Sequence, residues 1–256
     1  RGVVIEMDSG DPLPFANVFV DNSVLGVATK EDGSFVLKNL PDRSFDLVVS
    51  YLGYESRVVP ILLDSTFAGE PIRVVMKIDD HRLLKSVTIS PRLVKKMIRR
   101  DKRLLKSFEE EFLGRSENAK KCRILNPQVL DVIAYEGPNN YRVTADEELI
   151  IENRALGYRI TFYLEEFTFI NGAQTIKGQA RFRELEPGSR KQNRLWETAR
   201  QKAYYGSMPH FLNSMIENNL REEGFEVNIV QYDSVTSEYS TTLSPPPVEE
   251  ILSIEP

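Results

Sequence analysis

Cysteine, histidine and tryptophan are scarce in this chain of 256 residues: one Cys, two His and one Trp. A single Cys122 excludes an intrachain disulfide, so no disulfide framework holds the fold. Two His limit metal chemistry. A zinc hydrolase site takes two His and a Glu at fixed spacing. His81 is followed by Arg-Leu-Leu and His210 by Phe-Leu-Asn, so no HxxE spacing exists. No Gly-rich phosphate loop and no Ser nucleophile elbow occur. No stretch approaches the ~20 apolar residues of a membrane-spanning helix. The net charge of −5 argues against a general nucleic-acid binder. We therefore expect no catalytic residues, no metal and no cofactor. A Cys122–His nucleophile pair has no motif around it, because Cys122 stands between Lys121 and Arg123, and a structural thiol is the preferred reading.

What is present begins with short strands cut by turns. Residues 3–5, 16–20, 27–29, 34–37, 45–50, 56–62 and 72–78 are apolar or alternating runs. Asp32-Gly33 marks a tight turn, because Gly accepts positive φ at no steric cost. Residues 45–50 are taken as an alternation of apolar and polar positions. Strands at this spacing predict an antiparallel sandwich of about seven strands over residues 1–78, with no helix inside 12–60. Residues 87–89 offer one further strand.

This run resembles the carboxypeptidase regulatory-like family, a small transthyretin-like β-sandwich. The resemblance rests on Gly2, PLPFANV at residues 12–18, Gly26, Asp32-Gly33-Ser34-Phe35, Leu40-Pro41 and Ser50-Tyr51-Leu52-Gly53-Tyr54. It covers about a third of the chain. It implies an exported protein of the Bacteroidota cell envelope, periplasmic or outer-membrane associated, where such modules often precede TonB-dependent receptors. Residues 83–89 look like the strand before a receptor plug. No succession of lipid-facing strands follows, so the receptor reading is set aside. The chain starts at Arg1 without Met and is read as a mature or trimmed form whose targeting segment is absent.

Between residues 91 and 112 the period changes. Leu93, Val94, Met97, Ile98, Leu104, Leu105, Phe108 and Phe112 recur at helical steps, with Pro91 in the first turn and Gly114 at the end. The same helix carries basic residues from Arg92 to Lys106, then Glu109-Glu110-Glu111. Contact with an anionic surface through 92–106 is one reading. A solvated face beside a domain junction is the preferred one.

The remainder is read as a mixed α+β domain, 113–232, then a Ser/Pro-rich tail, 233–256, without a packing pattern. The domain limits are thus 1–90, 91–112, 113–232 and 233–256. Strands are expected at 129–135, 141–145, 149–152, 158–170, 173–185 and 225–232, with helices at 193–204 and 208–222. Ser207 is the N-cap and Pro209 lies in the first turn of the second helix. Gly224 is expected to end it.

Asn171-Gly172 fixes a two-residue hairpin that pairs Ile170 with Ala173 and Phe167 with Ile176. The apolar phase slips at Glu165-Glu166. One extra residue there pairs Leu164 with Gly178, Phe162 with Ala180 and Ile160 with Phe182. A β-bulge supplies it and keeps one face buried throughout. Deleting Glu166 is therefore expected to be better tolerated than deleting Thr161. A glycosidase-like acid pair at Glu165-Glu166 is the disfavoured alternative.

Trp196, Arg200, Tyr204, Tyr205 and His210 are the candidate lining of a small polar-aromatic pocket at the helix–helix corner. The competing view makes Trp196 core and Tyr204-Tyr205 a buttress of the turn. Segments of this half, at 112–114, 122–127, 151–163 and 199–212, look like those of uncharacterised Bacteroidota envelope proteins carrying the same first domain.

The functional expectation is a non-catalytic envelope module for binding, adhesion or scaffolding of an outer-membrane partner, with another envelope protein or a surface polysaccharide as its ligand. The alternative is a ligand-binding or hydrolytic enzyme domain in residues 113–232. A deep pocket with convergent titratable groups would favour the alternative. A filled interior and an exposed sheet edge would favour the module.

Overall fold

The computed structural model describes residues 1–41, 44–62, 71–79, 102–135, 139–233 and 238–242. His81, the strand expected at 87–89 and most of the basic stretch 92–106 lie outside the described residues. Two compact units emerge, Arg1–Pro187 and Gly188–Pro256.

The first unit opens with a sandwich. Strands β1 (Gly2–Glu6), β2 (Asn17–Val20), β3 (Gly26–Ala28), β4 (Ser34–Phe35), β5 (Phe45–Ser50), β6 (Arg57–Ile61) and β7 (Ile72–Met76) form it. They divide into a four-stranded sheet, β3-β2-β5-β6, and a three-stranded sheet, β4-β1-β7. Seven strands and no helix in the described part of 12–60 match the reading of the turns. One pairing differs from the expected antiparallel plan: β1 and β7 run parallel, from Gly2 opposite Ile72 to Glu6 opposite Met76. Turn spacing reports where strands end. It does not report which strands meet at a sheet edge after the chain has wound around the side chains between them.

Val4, Val18, Phe35, Leu47, Val49, Val74 and Met76 fill the space between the two sheets. Gly33 sits at φ +71°, and a Cβ there would lie 2.5 Å from the Val4 carbonyl oxygen, so the Asp32-Gly33 turn requires glycine. Thr29 is a polar pin in this core. Its hydroxyl donates to the Leu13 carbonyl at 2.6 Å and accepts the Ala16 N–H at 2.8 Å, with 2 % of the residue exposed. Thr29→Val keeps the shape and orphans both groups. Each buried unsatisfied group costs about 1–3 kcal/mol, so a loss of about 2–4 kcal/mol is expected in urea unfolding. An unchanged midpoint would show that water reaches both groups.

The rest of the unit is one helix on one sheet. Helix α1 (Lys102–Leu113) precedes strands β8 (Cys122–Ile124), β9 (Leu130–Ala134), β10 (Tyr141–Ala145), β11 (Leu149–Asn153), β12 (Tyr158–Ile170) and β13 (Ala173–Glu184). Their order is β8-β11-β12-β10-β9, with β13 on the other side of β12. The 13-residue β12 is long enough to pair β11 with its first half and β10 with its second half along the same edge. Leu104 and Phe108 of α1 pack on the sheet with Leu130, Tyr141, Val143, Leu149, Ile151, Leu164 and Phe167. Phe108 meets Phe167 edge-on at 5.0 Å, and Phe112 meets Phe162 edge-on at 5.1 Å. This is the helical stripe expected from the period, closed by Gly114 at φ +82°. Strand β8 had no expectation; three residues with a charged centre, Cys-Arg-Ile, carry too little pattern to register.

The hairpin register is as expected. Asn171 and Gly172 both have positive φ, 52° and 82°, as a primed two-residue turn requires. Ile170 faces Ala173, Phe167 faces Ile176, Leu164 faces Gly178 and Ile160 faces Phe182, with the shift between Leu164 and Glu166. The unpaired residue is Glu165, while Glu166 keeps a partner in Lys177. Phe162, Leu164 and Phe167 consequently share the buried face.

The second unit contains helix α2 (Arg190–Tyr204), helix α3 (Met208–Ile216) and the hairpin β14 (Ile229–Asp233) with β15 (Glu238–Thr242). Ser189 and Ser207 cap the two helices, each side chain accepting the N–H three residues on. Helix α3 stops six residues short of the expected 222. Asn218 takes φ +56°, its N–H reaches the Met215 carbonyl, and the Asn219 N–H reaches that of Ser214. That is a Schellman closure made with Asn, where the expectation waited for Gly224. Two more corrections follow: the strand expected at 225–232 runs Ile229–Asp233, and part of the expected patternless tail, Glu238–Thr242, pairs with it.

Candidate binding surfaces

Strand alternation gives β2 and β5 a second face. Val18, Leu47 and Val49 point into the sandwich, so Phe19 and Val48, a directly opposed pair, point out of it. Both are fully buried, because Tyr163 of β12 covers them; the Phe19 and Tyr163 rings stack at 5.2 Å. The expected alternation of residues 45–50 therefore breaks at Val48, and that break was the sequence signal of a covered outer face. Burial pushes the Tyr163 phenol above its ordinary range, and Glu148 pushes it further, while Arg181 and Ser50 act against the shift.

Backbone pairing extends this contact. Ala180 N–H donates to Asp21 Oδ1 at 2.9 Å, Asn22 N–H donates to the Ala180 carbonyl at 2.8 Å, and Phe182 N–H donates to the Ser23 carbonyl at 2.8 Å. Arg181 Nη1 donates to Asn17 Oδ1 at 3.0 Å. The turn after β2 thus clamps one end of the outer edge of β13. It also reveals which main-chain groups point outward: those of residues 180 and 182, and by the two-residue period those of 178, 176 and 174. The extra residue of the bulge sits on β12, so this alternation along β13 is unbroken. Residues 173–177 have exposed side chains, and β12 is the strand paired with β13 among the described residues. Asn140 anchors the tip by accepting the Asn171 N–H at 2.9 Å.

A cleft of about 380 Å³ lies in the same unit. Tyr54, Glu55, Ser56 and Asp79 line it from the sandwich, and Arg142, Thr144, Asp146, Leu164 and Glu165 from the sheet. Glu55 is paired with Lys77 at 3.1 Å. Arg142 Nε lies 2.6 Å from Glu166 Oε2, close enough for an ion pair although its angle falls outside hydrogen-bond geometry. Glu165 accepts from the Gln179 amide at 3.2 Å. The adjacent acids 165 and 166 thus have separate partners.

The five residues singled out at the helix corner all lie in the second unit. Tyr204, Tyr205 and His210 come together: the His210 ring is 4.9 Å from Tyr204 and 5.4 Å from Tyr205, with Phe225 at 4.8 Å on it as well. Gly206 N–H donates to Nδ1 at 3.1 Å, and Nε2 lies 2.9 Å from Glu223 Oε2. With Nδ1 accepting, Nε2 carries the proton and donates to the carboxylate. Both ring nitrogens hold protein partners and fasten the α2–α3 turn to residues 223–225. Trp196 is buried, and Arg200 is half-buried one turn further along α2. A hollow of about 370 Å³ on α2 is lined instead by Arg190, Lys191, Arg194, Leu195 and Thr198.

Cys122 is half-buried, its thiol donates to the Asn118 carbonyl at 3.5 Å, and burial pushes its pKa up. A nucleophilic thiol needs the opposite direction. Among the described residues, no group of three or more His, Cys, Asp or Glu is placed to hold a metal ion. No described helix is long and apolar enough to cross a membrane.

Residues 1–89 match the model of the CarboxypepD_reg-like domain family. No curated protein matches the chain.

Proposed function

We propose that the chain is a non-catalytic module of the cell envelope that works by protein contact, in binding, adhesion or scaffolding of an outer-membrane partner. The observation that carries this reading is the outer edge of β13. Its main-chain groups at 174, 176 and 178 face outward on a strand held at one end by the sandwich and at the other by Asn140. An edge of that kind accepts an added strand, with affinity from the main chain and selectivity from side chains. The interior behind it is filled by Phe108, Phe162 and Phe167 rather than hollowed into a deep pocket. Fixing the sandwich to the sheet through Phe19, Tyr163 and Arg181 gives one stiff body, which suits presentation of an edge.

A second reading, ligand binding by residues 113–232, has the 380 Å³ cleft in its favour. Its lining is mixed, and Tyr54, Glu55, Ser56 and Asp79 of the sandwich, outside residues 113–232, form part of its wall.

Ile176→Pro separates the two. The Ile176 N–H faces away from β12, so proline removes an outward donor and spares the hairpin ladder. Envelope extracts of the source organism passed over the immobilised wild-type chain should leave bound proteins that the Ile176→Pro chain does not retain, with the melting curve of the variant within a few degrees of wild type. Equal retention by both chains would refute the edge as the contact.

A further inference from the structure

Resting on the strand-addition reading, we infer that the strand added to β13 is β13 of a second copy of this chain, antiparallel, about a two-fold axis at Ile176. The stretch of the edge that no described strand pairs with has two fixed ends. One is Gly172 in the hairpin turn, and the other is Ala180, whose outward groups are taken by Asp21 and Asn22. The residue midway between 172 and 180 is Ile176. An antiparallel pair centred there sets Gly172 of the second copy opposite Ala180. Its strand ends where the intramolecular clamp begins, and the two pairings are continuous along one edge.

The number of outward groups engaged selects the same centre. Outward main-chain groups belong to 174, 176 and 178. A centre at 176 places 176 against 176, and 174 against 178 twice, so every outward N–H meets an outward C=O. A centre at 175 pairs 174 with 176 but leaves 178 against Gly172 in the second turn, and a centre at 177 pairs 176 with 178 but sets 174 against the occupied Ala180, so each engages two of the three outward residues. A centre at 178 runs 176 into the occupied Ala180. A centre at 174 carries 176 past the end of the second strand, into its turn.

Side chains agree with that register. Ile176 is 42 % exposed, and two copies would cover each other. Gln174 meets Gly178, where no side chain stands. Lys177 meets Thr175, so no like charges oppose. Such an isologous contact closes on itself at two subunits.

Sedimentation of the purified chain across a concentration series should show a monomer–dimer equilibrium, and Ile176→Pro should be monomeric where wild type is dimeric. Single-cysteine variants test the register. The two Ile176 Cα atoms would lie about 5.5 Å apart as a hydrogen-bonded pair. The two Gln174 positions would lie about 13 Å apart along the strands. A short thiol-to-thiol crosslinker should therefore join Ile176→Cys at least 10-fold faster than Gln174→Cys, in a Cys122→Ser background. A chain monomeric at every concentration, or a dimer indifferent to Ile176→Pro or crosslinked equally at both positions, overturns the inference. A monomer that still captures another envelope protein in an Ile176→Pro-sensitive way overturns the second copy alone and leaves the strand-addition reading standing.

Discussion

Phe167→Ala is expected to lower the stability of the Arg1–Pro187 unit by about 3–5 kcal/mol, the usual range for removing a buried aromatic ring. Phe167 has no exposed surface and lies at the centre of the aromatic layer. Phe108 meets it edge-on at 5.0 Å, Tyr141 stacks at 5.9 Å and Phe112 stands at 6.3 Å. The loss has two parts, the transfer energy of the ring and the cavity left between α1 and the sheet. Neither side can close the gap easily: the sheet is held by hydrogen bonds on both edges of β12. For a unit of this size each kcal/mol moves the midpoint by roughly 2–4 °C, so a fall of roughly 6–20 °C is expected. Ile170→Ala at the exposed end of the same strand should stay within about 0.5 kcal/mol. Equal effects of the two would mean that the layer repacks freely.

Deleting one of the two adjacent glutamates should cost far less than deleting Thr161. Removal of Glu165 or of Glu166 leaves the same sequence, Leu-Glu-Phe. Leu164 and Phe167 then sit two apart, on one face, with Gly178 and Ile176 still opposite them. The ion pair of Glu166 with Arg142 is exposed in part and worth little. Removal of Thr161 shifts residues 158–160 by one, turning Ile160 away from Ile151 and Tyr158 away from Asn153. The difference should reach about 3 kcal/mol, comparable to the loss of a large buried aliphatic contact. Thermal melts of the two deletions decide it. Equal losses would show that Glu165 has a role beyond accommodating the change of phase.

Turns, periodicity and the hairpin register are legible in the amino-acid sequence because they are local. Positive φ at Gly33 and Gly172 follows from residue type, and the slip at Glu165 follows from counting outward from a two-residue turn. The seven sandwich strands and the stripe of Leu104, Phe108 and Phe112 follow from spacing alone. The features that spacing does not reveal share a different origin. Asn218 closes α3 because its own residues curl back to Ser214 and Met215, and Asn satisfies left-handed φ less visibly than Gly. Strand β8 exists because β11 is there to receive it. Glu238–Thr242 is a strand because Ile229–Asp233 lies alongside.

Of the candidate surfaces, the sequence determined the β12–β13 hairpin, its bulge and the proximity of Tyr204, Tyr205 and His210 around one turn. It contained Phe19 and Val48 as apolar residues on the wrong face of a two-faced strand, without saying what covers them. Tertiary structure alone decided that Tyr163 is the cover, that Asp21, Asn22 and Ser23 clamp β13 at 180–182, and that no described strand pairs with the same edge from 174 to 178. Pairings more than a hundred residues apart leave no periodic trace, because each side is compatible with many partners until the chain compacts and one of them excludes the rest.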